Sequence, residues 1–325
     1  MGRLFRYIKS VALMARHQGY AQALRRICPY LRHLILLYTF NLWQKIGIHV
    51  TPVHYYQPIP DTRELRQSEE LWETDSELLG IDMNVDEQLR FVREVFPEFK
   101  DEYQFPLHDT QIPYQFFLEN PNFRRVDAEV AHCMIRHYQP GKIIEIGSGF
   151  STYLLARASM LNREKAGKNT ELIAIDPHPW DALTKKFPGF STLIRDKVEN
   201  IELDLFQGLD AGDVLWIDST HVVRTGGDVN YLYLEILPRL QSGVIVHIHD
   251  IFLPREYPQD WVQKYHLFYS EQYLLHALLM YNSAFEVLWG ASFMHINHPQ
   301  ELKMAFPGYD DRIHWPVSFW MRKRI

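Results

Sequence analysis

Two short stretches of this chain hold side chains whose types and spacing suit chemistry. The first runs Ile143-Ile144-Glu145-Ile146-Gly147-Ser148-Gly149-Phe150-Ser151-Thr152. An apolar, strand-like run enters a glycine turn and then a segment opened by the capping hydroxyls of Ser151 and Thr152. Glycines let a backbone approach a ligand closely, and a helix start offers unpaired N–H groups to a carboxylate or phosphate. Thr152 stands where a dinucleotide-binding turn would want its third glycine. Glu145, two positions ahead of Gly147, would repel a pyrophosphate but can accept a hydrogen bond from an ammonium group. The turn therefore favours a zwitterionic, amino-acid-bearing ligand. The plainer alternative is a tight strand-to-helix turn with an incidental glutamate.

A second strand-like run ends Ala174-Ile175-Asp176-Pro177, with Asp176 27 residues beyond Gly149. An acid at that strand end is positioned to bind both hydroxyls of a ribose, although alone it would more often cap a turn before proline. Arg195-Asp196-Lys197 follow a third run, near where an adenine edge would fall. Glu145, Asp176 and Asp196 together read as a nucleoside site.

The second stretch of interest is split. One run ends Leu215-Trp216-Ile217-Asp218-Ser219-Thr220-His221, the next Val246-His247-Ile248-His249-Asp250-Ile251-Phe252. In a parallel sheet these two ends are neighbours, so Asp218, His221, His249 and Asp250 converge on one rim. Carboxylates and imidazoles gathered there can ligate a divalent metal or act as acid and base. The competing structural roles are helix caps for Asp218 and Asp250 and a backbone-paired ring for His249. His247, alternating with it, faces a helix layer. Between the two runs, Arg224-Thr225-Gly226-Gly227-Asp228 reads as a substrate-side loop, with Arg224 a candidate for an anionic group. The segment from Pro254 to Tyr281 is rich in aromatic residues, and Asp260, Glu271 and Gln272 within it are candidates to line a polar pocket.

These residues need a frame. Strand candidates are Lys142–Ile146, Glu171–Ile175, Ser191–Ile194, Asp213–Ile217, Gly243–Ile248, Phe285–Trp289 and Pro316–Met321. Helical candidates begin near Ser151, Pro179, Asp228 and Pro258. Alternation of Val/Ile-rich strands with helices indicates an α/β fold whose mostly parallel sheet is covered on both faces and binds its ligand at the carboxyl ends of its strands. Upstream, residues 62–100 show a helical repeat of apolar positions, and residues 101–125 are aromatic and turn-rich. The expected organisation is a basic amphipathic helical arm over 1–50, a linker and helical cap over 51–125, and a ligand-binding domain over 126–325.

Composition narrows the classes. In 325 residues, 46% hydrophobic and 23% charged, wholesale disorder is excluded. Cys28 and Cys133 are too few for a disulfide scaffold, which fits a reducing compartment. Residues 1–60 hold eight Lys/Arg and no acid, leaving 26 basic against 40 acidic residues elsewhere. A body of that charge is a poor nucleic-acid binder. The longest apolar run of the head, Leu34 to Phe40, is far short of the roughly 20 residues of a membrane span. No secretory cleavage site is evident. The basic head suits an anionic membrane surface or, equally, packing on the acidic body or on a second subunit of a homo-oligomer.

Glu-Ile-Gly-Ser-Gly followed by Ile-Asp-Pro resembles the class I S-adenosylmethionine-dependent methyltransferases, over about residues 125–325. The resemblance implies a Rossmann-like seven-stranded methyltransferase sheet with the last strand antiparallel, here carrying an N-terminal helical extension. It implies that Glu145 and the turn Gly147, Ser148, Gly149 with Ser151 hold the methionine part of S-adenosyl-L-methionine, and Asp176 the ribose. Asp-x-x-His with an acidic residue after strand five is similar to methyltransferase-24-like proteins, namely the sugar O-methyltransferases acting on macrolide antibiotics and the cephalosporin-hydroxylase-like proteins. Carried over, Asp218 and Asp250 match metal carboxylates and His221 the general base. Histidine at 249 departs from that pattern, and an imidazole there suits Mn²⁺ or Zn²⁺ better than Mg²⁺. The implied activity is O-methylation of a sugar or secondary-metabolite hydroxyl on a small-molecule, glycan or glycolipid acceptor, in the cytoplasm or at the inner membrane face. The alternatives are an N-methyltransferase or hydroxylase-like relative, and a non-catalytic adenosine-binding or membrane-associated interaction module.

Overall fold

The computed structural model describes residues 35–325. The expected arm over 1–50 lies outside this range as far as residue 34, and 35–45 are helical. Two compact units divide the chain, Met1–Glu69 and Glu70–Ile325. In the first, the proline-bearing stretch 51–60 is irregular, as expected of residues that lack backbone donors. A short helix, Thr62–Leu65, follows, capped by the Asp61 carboxylate, which accepts from the Arg63 N–H at 3.0 Å.

The second unit is built on seven strands: β1 (Lys142–Ile146), β2 (Glu171–Ile175), β3 (Thr192–Ile194), β4 (Val214–Ile217), β5 (Ile245–Ile248), β6 (Phe285–Gly290) and β7 (Phe319–Lys323). Their order is β3-β2-β1-β4-β5-β7-β6. The first five are parallel, and β7 inserts antiparallel between β5 and β6. Reversal of the chain's path about β1 opens a crevice beyond the carboxyl ends of β1, β2 and β4, where sheets of this kind bind ligands.

Alternate residues of each strand feed two cores. Ile143, Val214, Trp216 and Ile245 face one, with helices α1 (Asp127–Tyr138) and α2 (Phe150–Ala166). Ile144, Leu215, Ile217, Val246 and Ile248 face the other, with Leu232, Tyr233 and Ile236 from the helical run that α3 (Asp228–Tyr231) opens. Burial of a strand on both faces is why these runs are almost wholly apolar. Residues 85–99 belong to the first core, where Phe91 and Phe96 are fully buried.

Near Pro179, where the sequence predicts a helix, there is a single 3₁₀ turn, Asp181–Thr184, and β5 begins at Ile245 rather than Gly243; two larger departures from the sequence pattern lie elsewhere. Helix does not run through 62–100. It is interrupted over 74–84, where Leu78 and Asn84 take left-handed backbone angles and donors reach across the fold, Ser76 N–H to Pro254 and Tyr281 N–H to the Gly80 carbonyl. The last strand begins at Phe319 rather than Pro316, because the N–H groups of Val317 and Ser318 are taken by the Asp127 carboxylate instead of a neighbouring strand.

Candidate functional site

At the end of β1 the chain turns at Gly147, whose φ is +84°. A Cβ on this residue would lie 2.2 Å from the Asp218 carbonyl oxygen, so no side chain fits between the β1 turn and the end of β4. Thr152 closes the turn by accepting from the Gly149 N–H at 3.0 Å, and α2 leaves from there. A Cβ at Gly149 would meet nothing within 4 Å, so there is room above the turn.

Glu145 is fully buried beneath this turn. Its Oε1 accepts from Ser151 Oγ at 2.6 Å, while Oε2 has no partner among the described residues. Burial pushes its carboxyl up to about 8, against the downward pull of Ser151 and Thr152. A buried carboxylate with one free oxygen is a receptor for a small cation, because an uncompensated polar atom there is costly. Asp176, at the end of β2, is joined to the same turn: Ser148 Oγ donates to its Oδ2 at 2.6 Å, and the His178 N–H to its Oδ1 at 2.7 Å. Asp196 does not join them. It is exposed and caps the turn that follows β3, accepting from Lys197 N–H and Asn200 Nδ2, each at 2.7 Å.

The ends of β4 and β5 form the second half of the site. His221 is 4% exposed, with φ at +59°, and its backbone carbonyl accepts from the N–H groups of Ser270 (2.8 Å) and Glu271 (3.1 Å). Glu271 opens helix α4 (Glu271–Leu279) and is fully buried. Its Oε2 lies 2.7 Å from His221 Nδ1. The other ring nitrogen, Nε2, faces Asp218 Oδ1 at 3.3 Å and Asp250 Oδ2 at 3.4 Å. Burial depresses the imidazole pKa, but the three carboxylates outweigh it and hold His221 well above its ordinary value. Burial pushes Asp218 up, but the His221 bond and the His249 charge leave it below the usual carboxylate range.

His249 joins this cluster more loosely, with Nε2 3.8 Å from Asp250 Oδ1 and its ring 5.1 Å from that of Phe123. His247 is fully buried and stacks on Trp216 at 3.5 Å; burial pushes its pKa well down. In the loop after β4, Asp228 accepts from the Thr220 N–H at 2.9 Å and the Thr220 hydroxyl at 2.6 Å, so it braces the segment that carries His221.

Among the described residues no three His, Cys, Asp or Glu side chains are gathered to hold a metal ion. The expected ligands Asp218, His249 and Asp250 do not form such a group, and Asp218 and Asp250 turn to Nε2 of His221, at 3.3 and 3.4 Å.

Residues 144–251 match a family model described as a methyltransferase domain. An uncharacterized protein of Archaeoglobus fulgidus is 32% identical over 186 residues, spanning 55% of this chain and 82% of the relative. The chain belongs to the class I S-adenosylmethionine-dependent methyltransferases. Among solved structures, apo CmcI is 13% identical, with a TM-score of 0.35 over 62% of this chain and 72% of its own. CmcI with Mg and SAM is 16% identical, with a TM-score of 0.34 over 70% and 84%. In this methyltransferase, the motif residues on β1, β2, β4 and β5 meet at one crevice. Glu271 is the member whose role sequence reasoning missed: it entered only as a candidate pocket lining, since nothing in the spacing links it to a histidine fifty positions earlier.

Proposed function

We propose that this methyltransferase transfers the methyl group of S-adenosyl-L-methionine to a hydroxyl oxygen of a small acceptor, a sugar or related secondary metabolite, with His221 as the general base. The observation that carries this reading is the buried relay in which Glu271 holds Nδ1 of His221 and leaves Nε2 facing Asp218 and Asp250.

The β1 turn fits the methionine end of the cofactor. Glu145 Oε2, buried and without a partner, would accept from its ammonium group. The open space above Gly149 would admit its chain, and Asp176 would take the ribose hydroxyls once Ser148 yields. When bound, the cofactor supplies an electrophilic methyl group on a good sulfonium leaving group. What remains for the protein is orientation and one proton. Asp218 and Asp250, beside His221 Nε2, would accept from neighbouring hydroxyls of the acceptor and so leave the reacting hydroxyl aimed at Nε2, the kind of positioning that supplies much of a transfer rate. His221 takes the hydroxyl proton at Nε2, and Glu271, its charge buried against Nδ1, stabilises the imidazolium so formed. Because three carboxylates hold a proton on the resting ring, the base form is populated only as pH rises above the ordinary histidine range.

His221→Asn tests this, since asparagine tolerates the left-handed backbone at that position. Turnover on an accepted hydroxyl substrate should fall by about 10²- to 10⁴-fold, with cofactor affinity nearly unchanged. Parallel loss of cofactor binding would make His221 structural.

A membrane surface is the proposed place of action. Ile35, Leu37 and Leu42 of the 35–45 helix are each about 60% exposed, and residues 1–60 are uniformly basic.

A further inference from the structure

A cavity of about 310 Å³ lies against the outer side of α2, away from the crevice at the strand ends. Tyr153, Ala156, Arg157 and Met160 form its floor, at the spacing of one helix face, and the aromatic-rich segment 102–116 forms its opposite wall. Tyr114 stacks on Phe187 with centroids 4.7 Å apart and planes within 9°, and Tyr153 meets the same Phe187 edge-on at 5.4 Å. Such a set of faces and edges receives a planar ring. The volume is at the lower end of small-molecule sites, which suits a ligand of one or two rings.

The charge at this cavity is lopsided. Glu102 lines it, but its carboxylate is already engaged: Oε2 by Arg136 Nε at 2.6 Å and Oε1 by Lys165 Nζ at 2.6 Å. His132 adds no charge, since burial pushes its pKa down to about 4. Arg157 also lines the cavity and has no hydrogen-bond or ion-pair partner among the described residues. Arg136 and Lys165 thus satisfy the one lining carboxylate, and the guanidinium of Arg157 is left to recruit an anion. A guanidinium is the group best shaped to do so, through paired N–H donors to two oxygens.

We propose that this cavity is a second ligand site, which takes a small aromatic monoanion, an aryl carboxylate or aryl sulfonate, with the ring among Tyr114, Phe187 and Tyr153 and the anionic group on Arg157. The site shares α2 with the cofactor turn: Ser151 bonds Glu145 on the inner side, and Tyr153 enters the cavity two residues later. The two sites are nonetheless lined by different side chains.

The probe is 1-naphthalenesulfonate, titrated into the full chain and followed by its own fluorescence, with neutral 1-naphthalenemethanol as comparator. The expected result is saturable one-to-one binding below about 1 mM, at least about tenfold tighter than the neutral compound. Arg157→Gln should remove the preference for the anion, and Met160→Trp, which fills the cavity, should weaken both compounds by about tenfold or more. Neither variant should alter S-adenosyl-L-methionine affinity, so the outcome is independent of the methyl-transfer reading. Absence of saturable binding overturns the proposal, as does equal affinity for the charged and neutral probes, or binding that both variants leave intact.

Discussion

Glu145 offers the sharpest test of the cofactor site, because its proton can be counted. In the free protein burial holds the carboxyl at about 8, so at pH 7 it carries about 0.9 proton. An ammonium group seated on Oε2 favours the ionised form, and binding must expel that proton. The sign follows directly. The carboxyl pKa is raised in the free protein and lowered in the complex, so affinity climbs with pH up to about 8. Between pH 6 and 7, where the ligand's own ammonium stays protonated, the gain is about ninefold. Calorimetry in buffers of different ionisation enthalpy reads the release directly, and repeating it across that pH interval reads the affinity change. Glu145→Gln should abolish both effects and weaken binding by about 100-fold or more, as expected when a buried charge loses its partner. Because other groups can also exchange protons on binding, the diagnostic quantity is the difference between the two proteins. Equal proton release from wild type and Glu145→Gln would refute the assignment of Glu145 as the ammonium receptor.

Three further outcomes follow from the same geometry. Glu271→Gln removes one of the three carboxylates that hold the His221 proton, so the limb of kcat that rises with pH should shift to lower pH while kcat itself drops by about 10²-fold; a lower melting temperature with an unmoved limb would make Glu271 a packing residue. Exhaustive chelation should leave methyl transfer within about twofold, since Asp218 and Asp250 both face Nε2 of His221; loss of activity restored by Mn²⁺ would place a cation between Asp218 and Asp250 and displace that arrangement. Full-length protein should float with anionic vesicles and protein beginning at Thr51 should not; unchanged flotation after that truncation would remove the membrane from the account.

The sheet was legible because four of its strands, β1, β2, β4 and β5, are short runs rich in Ile, Val and Leu and buried on both faces, each leading into a turn with residues able to do chemistry. The β1 turn was legible for a related reason: an apolar run, two glycines and the hydroxyls of Ser151 and Thr152 in succession mark a strand that turns into a helix. What could not be read depends on contacts between distant segments. The start of β7 is displaced by Asp127, nearly two hundred residues upstream, and the helical repeat of 62–100 is broken where the Ser76 N–H donates to Pro254 and the Gly80 carbonyl accepts from Tyr281. Local pattern holds no information about such partners. The same is true of Glu271, which reaches His221 only because α4 starts at the rim.

The bare α-carbon of Gly147 rests against the carbonyl of Asp218, so the bend that would grip the amino acid and the strand end that would meet the acceptor move as one rigid body. Descendants of this enzyme that took up new acceptors would have had to alter the aromatic stretch after β5, leaving this hinge-less junction alone. In an alignment of its lineage, positions 147 and 218 should stand still while the ring-bearing residues between 254 and 281 diverge.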